Sequence, residues 1–436
     1  MGKFGAGAGA DDIRVLVENG EYWLRNRGDI AMMAVTVQRL RERWPAARIG
    51  MLTDQPRVLR ALVPGADPIR LDTGGRWEPP PRLDRLGAVT ALRWRAATDG
   101  PKSRVRGLRK ALRGNDDQHV EPPEPPLPAA IAAAGLVLAQ GGGYMTDVDR
   151  YQANRTLNLL EYAQSQGIPT AMIGQGFGPL EDPLLLERAA RVLPGVGFIA
   201  LREGRRGPKL LADLGVAPER VMVTGDDAVE LAYRLRRAEI GGDLGVCLRI
   251  TYYAQVGAAA RDVLGEVIRS CAADHGAALR PLIISEYDGE DRNCTRQLLA
   301  GAAHTRRPVG RGAGAEDVVR QVSRCRVVVT SAYHLAVFAL SQGIPAVGIT
   351  ASRYYDDKFH GLAEMFGTGL RVVHVGDPDL RGTLTAAVRE LWESAPDMRD
   401  PLQHKAVEQI DAARAGLARV FELVEGERTA VAAQGE

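Results

Sequence analysis

The chain has 436 residues, too many for one ordinary hydrophobic core and enough for two domains of about 200 residues each. Hydrophobic residues make up 45 % and charged residues 25 %, which fills two cores and excludes a disordered or fibrous chain. A net charge of +2 supplies no global pull toward nucleic acid or an anionic membrane, so any attraction for anions is local.

The four cysteines, Cys247, Cys271, Cys294 and Cys325, show neither Cys-x-x-Cys nor metal-ligand spacing, which suits a reducing compartment. Residues Met1–Ala10 are small and glycine-rich, with no apolar segment behind a basic start. Ala6 stands where a myristoylation signal needs Ser or Thr, and no run approaches the roughly 18 apolar residues of a membrane helix. A cytoplasmic chain without a transmembrane segment is expected.

Short apolar runs alternate with longer amphipathic stretches, the rhythm of parallel β/α units. Strands are predicted at Ile13–Val17, Arg48–Thr53, Leu136–Ala139, Thr170–Ile173, Phe198–Leu201 and Val221–Thr224, with helices such as Ile30–Arg43 and Thr156–Gln166 between them. The rhythm restarts after Gly241-Gly242, with strands at Leu244–Leu248, Leu279–Ile284, Val327–Thr330, Ala346–Ile349 and Val372–Val375. The helices there include Val256–Ala273 and His334–Gln342. The pattern predicts an α/β protein of two Rossmann-like domains facing a cleft, over residues 1–235 and 243–395, hinged near Tyr233–Gly242. Residues 396–436 read as a terminal helix, Leu402–Val424, and a tail.

The segment 76–128 interrupts the rhythm. It carries Arg82, Arg85, Arg93, Arg95, Lys102, Arg104, Arg106, Arg109, Lys110 and Arg113 between Pro79-Pro80-Pro81 and Pro122-Pro123-Glu124-Pro125-Pro126. It is either a helical insertion with a solvated basic face or a handle for an anionic acceptor or peripheral membrane contact. No aromatic-interleaved RNA motif or zinc finger accompanies the arginines, which argues against nucleic acid.

The chemistry-bearing residues gather at predicted strand ends, where ligands bind in open parallel sheets. Asn26-Arg27-Gly28-Asp29 precedes the first helix. Gly28 allows close approach to backbone N–H groups, and Asp29 either binds a ligand or caps the helix. Gly141-Gly142-Gly143 and Gly174-Gln175-Gly176-Phe177-Gly178-Pro179 are predicted as two glycine-rich loops on one cleft. The contiguous glycines do not make the dinucleotide fingerprint. Arg202-Glu203 ends a strand, where the arginine suits a carboxylate or phosphate unless it is a plain surface residue. The second domain offers Arg249 and Ser331-Ala332-Tyr333-His334 at strand ends, then Ser352-Arg353-Tyr354-Tyr355-Asp356-Asp357-Lys358. His334 opens a helix and is either a structural histidine or a general acid–base near neutral pH. As a loop-edge residue it is expected to fill little core volume. No Gly-x-Ser-x-Gly elbow, Walker loop or His-Glu-x-x-His is present.

At these positions the sequence resembles the polysaccharide pyruvyl transferase family. The likeness runs through Asn26–Asp29 with Ala31-Met32, Gly141-Gly142-Gly143, Gly174–Pro179 and Arg202-Glu203 leading into Leu211–Val216. It continues through Thr224-Gly225-Asp226, His334 with Phe338-Ala339, and Gly343-Ile344-Pro345. It implies a B-type glycosyltransferase-like architecture and transfer of pyruvate from phosphoenolpyruvate to sugar hydroxyls as a ketal, with no metal and no further cofactor. One departure stands out: Ala332-Tyr333-His334 occupies the place of the family's Arg-Leu-His, so Arg249, Arg353 or Lys358 has to replace the missing cation or the donor differs. On this basis His334 is expected to move the proton and Arg249 and Arg202 to bind anions, with Lys358 in support. Gly28, Asp29, Gly141, Gly142, Gly143, Gln175, Ser331 and Tyr333 are expected to contact substrate. The rivals are a nucleotide-sugar-dependent glycosyltransferase on the same scaffold, recognised by release of a nucleoside diphosphate, and a binding protein that turns nothing over.

Overall fold

The computed structural model describes residues 13–78, 87–99, 127–250, 255–287 and 290–434. Two wholly parallel sheets organise them. The first contains β1 (Arg14–Glu18), β2 (Arg48–Thr53), β3 (Asp67–Arg70), β4 (Leu136–Met145), β5 (Thr170–Phe177), β6 (Phe198–Leu201) and β7 (Val221–Val223), in the order β3-β2-β1-β4-β5-β6-β7. The second contains β8 (Asp243–Cys247), β9 (Leu279–Pro281), β10 (Cys325–Thr330), β11 (Ala346–Thr350) and β12 (Leu370–His374), in the order β12-β11-β10-β8-β9. Runs such as Val327-Val328-Val329 are buried along their whole length because helices cover both faces of a parallel sheet.

Each sheet reverses its winding once. In the first, the chain moves outward from β1 through β2 to β3, then returns to place β4 on the other side of β1. In the second, β9 and β10 flank β8. The crevices at such reversals open at the carboxyl ends of the strands, and the two of them face one another across the interdomain cleft.

Five segments depart from the sequence expectation. The strand β3 was not predicted, because Asp67-Pro68-Ile69-Arg70 offers little apolar pattern; its proline is tolerated on the sheet edge. The predicted strand Leu279–Ile284 stops at Pro281, and Ile284 turns away to accept a hydrogen bond from the Arg27 N–H of the first domain (2.8 Å). The two glycine stretches are not loops: Gly141, Gly142 and Gly143 lie inside β4, and Gly174, Gln175 and Gly176 inside β5. The terminal helix begins at Leu380 and runs to Gln434 through Pro396 and Pro401. Prolines normally stop helices, but Leu384, Val388, Leu391 and Leu402 bury an apolar stripe on both sides of them.

The domains are clasped by side chains as well as by backbone. Arg27 is 3 % exposed and reaches into the second domain, donating to Glu286 (3.1 Å) and to the carbonyls of Ala313 (2.9 Å), Arg311 (3.1 Å) and Gly310 (3.2 Å). Arg292 and Arg311 share the Glu286 carboxylate. The terminal helix crosses back to the first sheet, where Phe421 meets Trp44 edge-on at 4.7 Å and Leu423 covers Gly197. From the basic insertion, Arg93 and Arg95 lie on a helix over 87–99; Arg82, Arg85, Lys102, Arg104, Arg106, Arg109, Lys110 and Arg113 lie outside the described residues. Among the described residues no helix is long and apolar enough to cross a membrane.

Candidate active site

The turn between β1 and the helix Arg27–Arg43 supplies the first group. Asn26 caps that helix by accepting from the Gly28 N–H at 3.0 Å, so capping does not employ Asp29. Asp29 is half-buried at the first turn and takes no side-chain hydrogen bond among the described residues. Burial pushes its carboxyl up to about 8, with the charges of Glu21 and Asp226 adding and those of Arg249 and Lys358 opposing. At neutral pH it is a carboxylic acid able to give a proton.

His334 comes from the other side of the cleft, in the first turn of the helix Tyr333–Ser341. It is 8 % exposed rather than a loop-edge residue, and its ring lies flat against Gly28: a β-carbon there would stand 2.2 Å from Cγ and Nδ1. Its Nε2 is 3.7 Å from Oδ2 of Asp226, which follows β7. Burial first, and then the charges of Arg202, Lys358 and Arg249, hold the imidazole well below its usual 6.5, so it is neutral at pH 7. Burial also pushes Asp226 up to about 6, against the pull of Arg202. Sequence reasoning used Asp226 only as a mark of family likeness; a Gly-Asp-Asp turn at a strand's carboxyl end was the signal available.

Three cations surround this pair, each differently employed. Arg202 is buried under β4 and β5, with Nη1 3.9 Å from Asp226 Oδ2 and its guanidinium 4.4 Å above the Tyr333 ring. Lys358 lies over the Tyr354 ring at 3.7 Å and donates to that hydroxyl. Burial, then the charge of Arg202, draws its ammonium well below the usual 10.5, with Asp29 opposing. Arg249 is bidentate to Asp291 (2.8 and 3.1 Å), and Asp291 in turn accepts from the N–H groups of Ile284 and Ser285. Arg353, the remaining candidate for the absent family arginine, is exposed and paired to Glu181 at 3.0 Å. Of the three around the pair, Arg249 is held by both oxygens of a carboxylate, while Arg202 and Lys358 lie over the rings of Tyr333 and Tyr354.

The glycines explain how these side chains fit. A β-carbon on Gly143 would stand 2.1 Å from Lys358 Nζ, and one on Gly176 2.6 Å from Arg202 Nε. Gly141 lets β4 approach β5, since its β-carbon would stand 2.0 Å from the Gly174 carbonyl oxygen. Gly142 is limited by the neighbouring Tyr144 ring at 2.9 Å. Strand glycines thus make room for protein cations and for backbone rather than forming a phosphate-cradling loop. Gln175 is fully buried, its amide donating to the Ala139 carbonyl and the Tyr144 hydroxyl, both at 3.0 Å. The Ser331 hydroxyl accepts from the Arg249 N–H (2.7 Å) and donates to its carbonyl (3.2 Å), tying β10 to β8. His334 Nε2, Asp226 Oδ2, Arg202 Nε and Tyr333 Oη are buried polar atoms without a hydrogen bond among the described residues. Asp226 Oδ2 lies 3.7 Å from His334 Nε2 and 3.9 Å from Arg202 Nη1, and Arg202 lies over the Tyr333 ring. Such a set can hold an anion and move protons on either side of it.

A family model described as polysaccharide pyruvyl transferase matches residues 26–353. No curated protein matches the sequence. Among solved structures, the chain is similar to a UDP-GlcNAc 2-epimerase from Neisseria meningitidis bound to UDP-GlcNAc, at 12 % identity and TM-score 0.56, over 94 % of this chain and 100 % of that one. It is also similar to a UDP-N-acetylglucosamine 2-epimerase from Rickettsia bellii, at 10 % identity and TM-score 0.51, over 95 % and 97 % of the two chains. A glycosyltransferase from Rickettsia africae resembles it at 8 % identity and TM-score 0.50, over 95 % and 99 %. At these identities the likeness concerns architecture alone: two Rossmann-like domains in the B-type glycosyltransferase arrangement.

Proposed function

Since the chain belongs to the polysaccharide pyruvyl transferase family and is a transferase, we propose that it joins pyruvate from phosphoenolpyruvate to two hydroxyls of a sugar-containing acceptor as a ketal. The observation that carries this reading is a neutral buried imidazole 3.7 Å from Asp226, beside Arg202 and Lys358 and packed against Gly28, the neighbour of a protonated Asp29. Addition to an enol phosphate needs those groups: a base for the attacking hydroxyl, an acid for the methylene carbon, and cations for a carboxylate and a phosphate.

The atoms balance as follows. His334 takes the proton of the first acceptor hydroxyl as its oxygen bonds to C2 of the donor. The enol double bond breaks toward C3, which takes the Asp29 proton and becomes a methyl group. The second hydroxyl then replaces phosphate at C2; its proton leaves with inorganic phosphate, and the Asp29 and His334 protons are restored between them. Arg202 and Lys358 face the donor's charges, the part left open where Ala332 stands in place of the family's arginine.

Incubation of the protein with phosphoenolpyruvate and candidate acceptors, followed by mass spectrometry, tests the proposal. The expected result is an acceptor ketal and one phosphate released per ketal formed. Release of a nucleoside diphosphate from a sugar nucleotide, with no ketal, would replace the proposal with glycosyl transfer.

The pH profile gives a separate prediction. Below pH about 6 Asp226 takes up a proton and no longer stabilises the imidazolium that His334 becomes, so kcat/KM falls on the acid side. Above about 8 Asp29 ionises and cannot donate, so the rate falls on the alkaline side. Asp29→Asn is expected to lower the rate and remove the alkaline limb while leaving the acid limb in place. An unchanged alkaline limb in that variant rules out Asp29 as the acid.

A further inference from the structure

Beside Asp29 stands an aromatic corner that the proton transfers do not use. Leu24 has a left-handed backbone, with φ of 55°, and is the one residue other than glycine to do so among the described residues. That conformation costs a β-carbon-bearing residue about 1–2 kcal/mol. Its result is local and specific: Tyr22 and Leu24 are buried at 1 % and 0 % exposure, while Trp23 between them is turned outward at 44 %. The twist is held from several sides. The Glu21 N–H donates to Asn19 Oδ1 (2.8 Å), and the Arg25 N–H donates to Glu21 Oε1 (2.8 Å). Arg95, from the basic insertion, clamps the carbonyls of Trp23 (3.0 Å) and Leu24 (2.7 Å). An exposed tryptophan on a slack surface turn needs none of this; a fixed presentation does.

The second wall belongs to the other domain. The Tyr287 ring lies 6.4 Å from the Trp23 ring at an interplanar angle of 79°, so the two rings meet at a corner. The Tyr287 hydroxyl donates to Glu21 Oε1 at 2.6 Å, and Glu21 is the carboxylate whose charge raises Asp29. An indole face, a phenol and the carboxyl groups of Glu21 and Asp29 thus border one edge of the cleft.

That combination matches the two-sided chemistry of a pyranose ring, whose C–H face stacks on an aromatic surface while its hydroxyls exchange hydrogen bonds with carboxyl groups. We infer that Trp23 and Tyr287 form a pyranose-binding corner that seats the acceptor sugar with its hydroxyls turned toward Asp29. Seating of the acceptor rests on the pyruvyl transfer reading; binding of a pyranoside does not. The corner draws one wall from each domain, so it exists only while the Arg27 clasp holds the cleft in this arrangement.

The test uses the full chain and three probes, the methyl glycosides of β-galactopyranose, β-glucopyranose and α-mannopyranose, titrated without donor by calorimetry and saturation-transfer NMR. At least one probe is expected to saturate the wild-type protein. Trp23→Ala should weaken it by roughly tenfold, the scale of one stacked ring, and Trp23→Phe should restore most of the affinity. With phosphoenolpyruvate present, Trp23→Ala should raise the acceptor KM by the same factor and leave the donor KM unchanged. Circular dichroism of both variants checks the fold. If no probe saturates the wild type, or Trp23→Ala binds as the wild type does, the corner is not a sugar site. Binding that depends on Trp23 without ketal formation from any acceptor would retain the corner and remove the transfer reading.

Discussion

His334→Ala is expected to lower kcat by roughly two to four decades while the KM for phosphoenolpyruvate moves little, the usual signature of a lost general base. The neutral imidazole sits among three cations, and the protonated intermediate it forms is stabilised by Asp226, 3.7 Å away. The ring is buried against Gly28, so its removal leaves a void, and a measurable drop in thermal stability is expected as well. His334→Asn, which keeps part of the volume without the basicity, separates the two effects: it should lose as much rate as alanine and less stability. A folded alanine variant with wild-type turnover would make His334 a packing residue.

Gly28→Ala is expected to cost about a hundredfold in kcat through one methyl group, since misplacing a catalytic group by about 1 Å has effects of that order. Gly28 lies inside a helix, where alanine is favoured over glycine by about 1 kcal/mol, so the helix itself gains. The damage falls across the cleft, where the new carbon would stand 2.2 Å from the imidazole and has to displace it. The two substitutions then remove the same function. The double variant should be no slower than His334→Ala alone, a non-additivity that kinetics on the four proteins reads directly. Additive losses would place the effect of Gly28 elsewhere, and a wild-type rate in Gly28→Ala would mean that the ring does not depend on that space.

Glycine is also where sequence and structure diverged most. Three contiguous glycines after an apolar run read as a ligand loop because free backbone is the commonest reason to accept their entropy. The other reason, a large neighbour needing the space of a missing side chain, leaves the same mark in sequence. Gly28 with His334, Gly143 with Lys358 and Gly176 with Arg202 are all of that second kind, and their partners are 26 or more residues away in sequence. Asp226 escaped for a related reason: its importance comes from what faces it, and His334 reaches it from another domain.

What the sequence determined by itself is the local and periodic part. Buried runs of β-branched residues alternating with helical stretches give two parallel sheets, and the restart after Gly241-Gly242 separates them. The short motifs at strand ends gave the family, because strand ends are where such sheets bind ligands. The tertiary structure decided what each charge is paired with. Arg249 reads as an anion site in sequence, yet Asp291 holds it with both oxygens; Arg353 is paired on the surface; Arg202 and Lys358 lie over the rings of Tyr333 and Tyr354. It also set the protonation of Asp29, Asp226 and His334. Both depend on burial and on charges brought within a few ångströms by residues distant in the chain, quantities that exist only once the two domains have closed on one another.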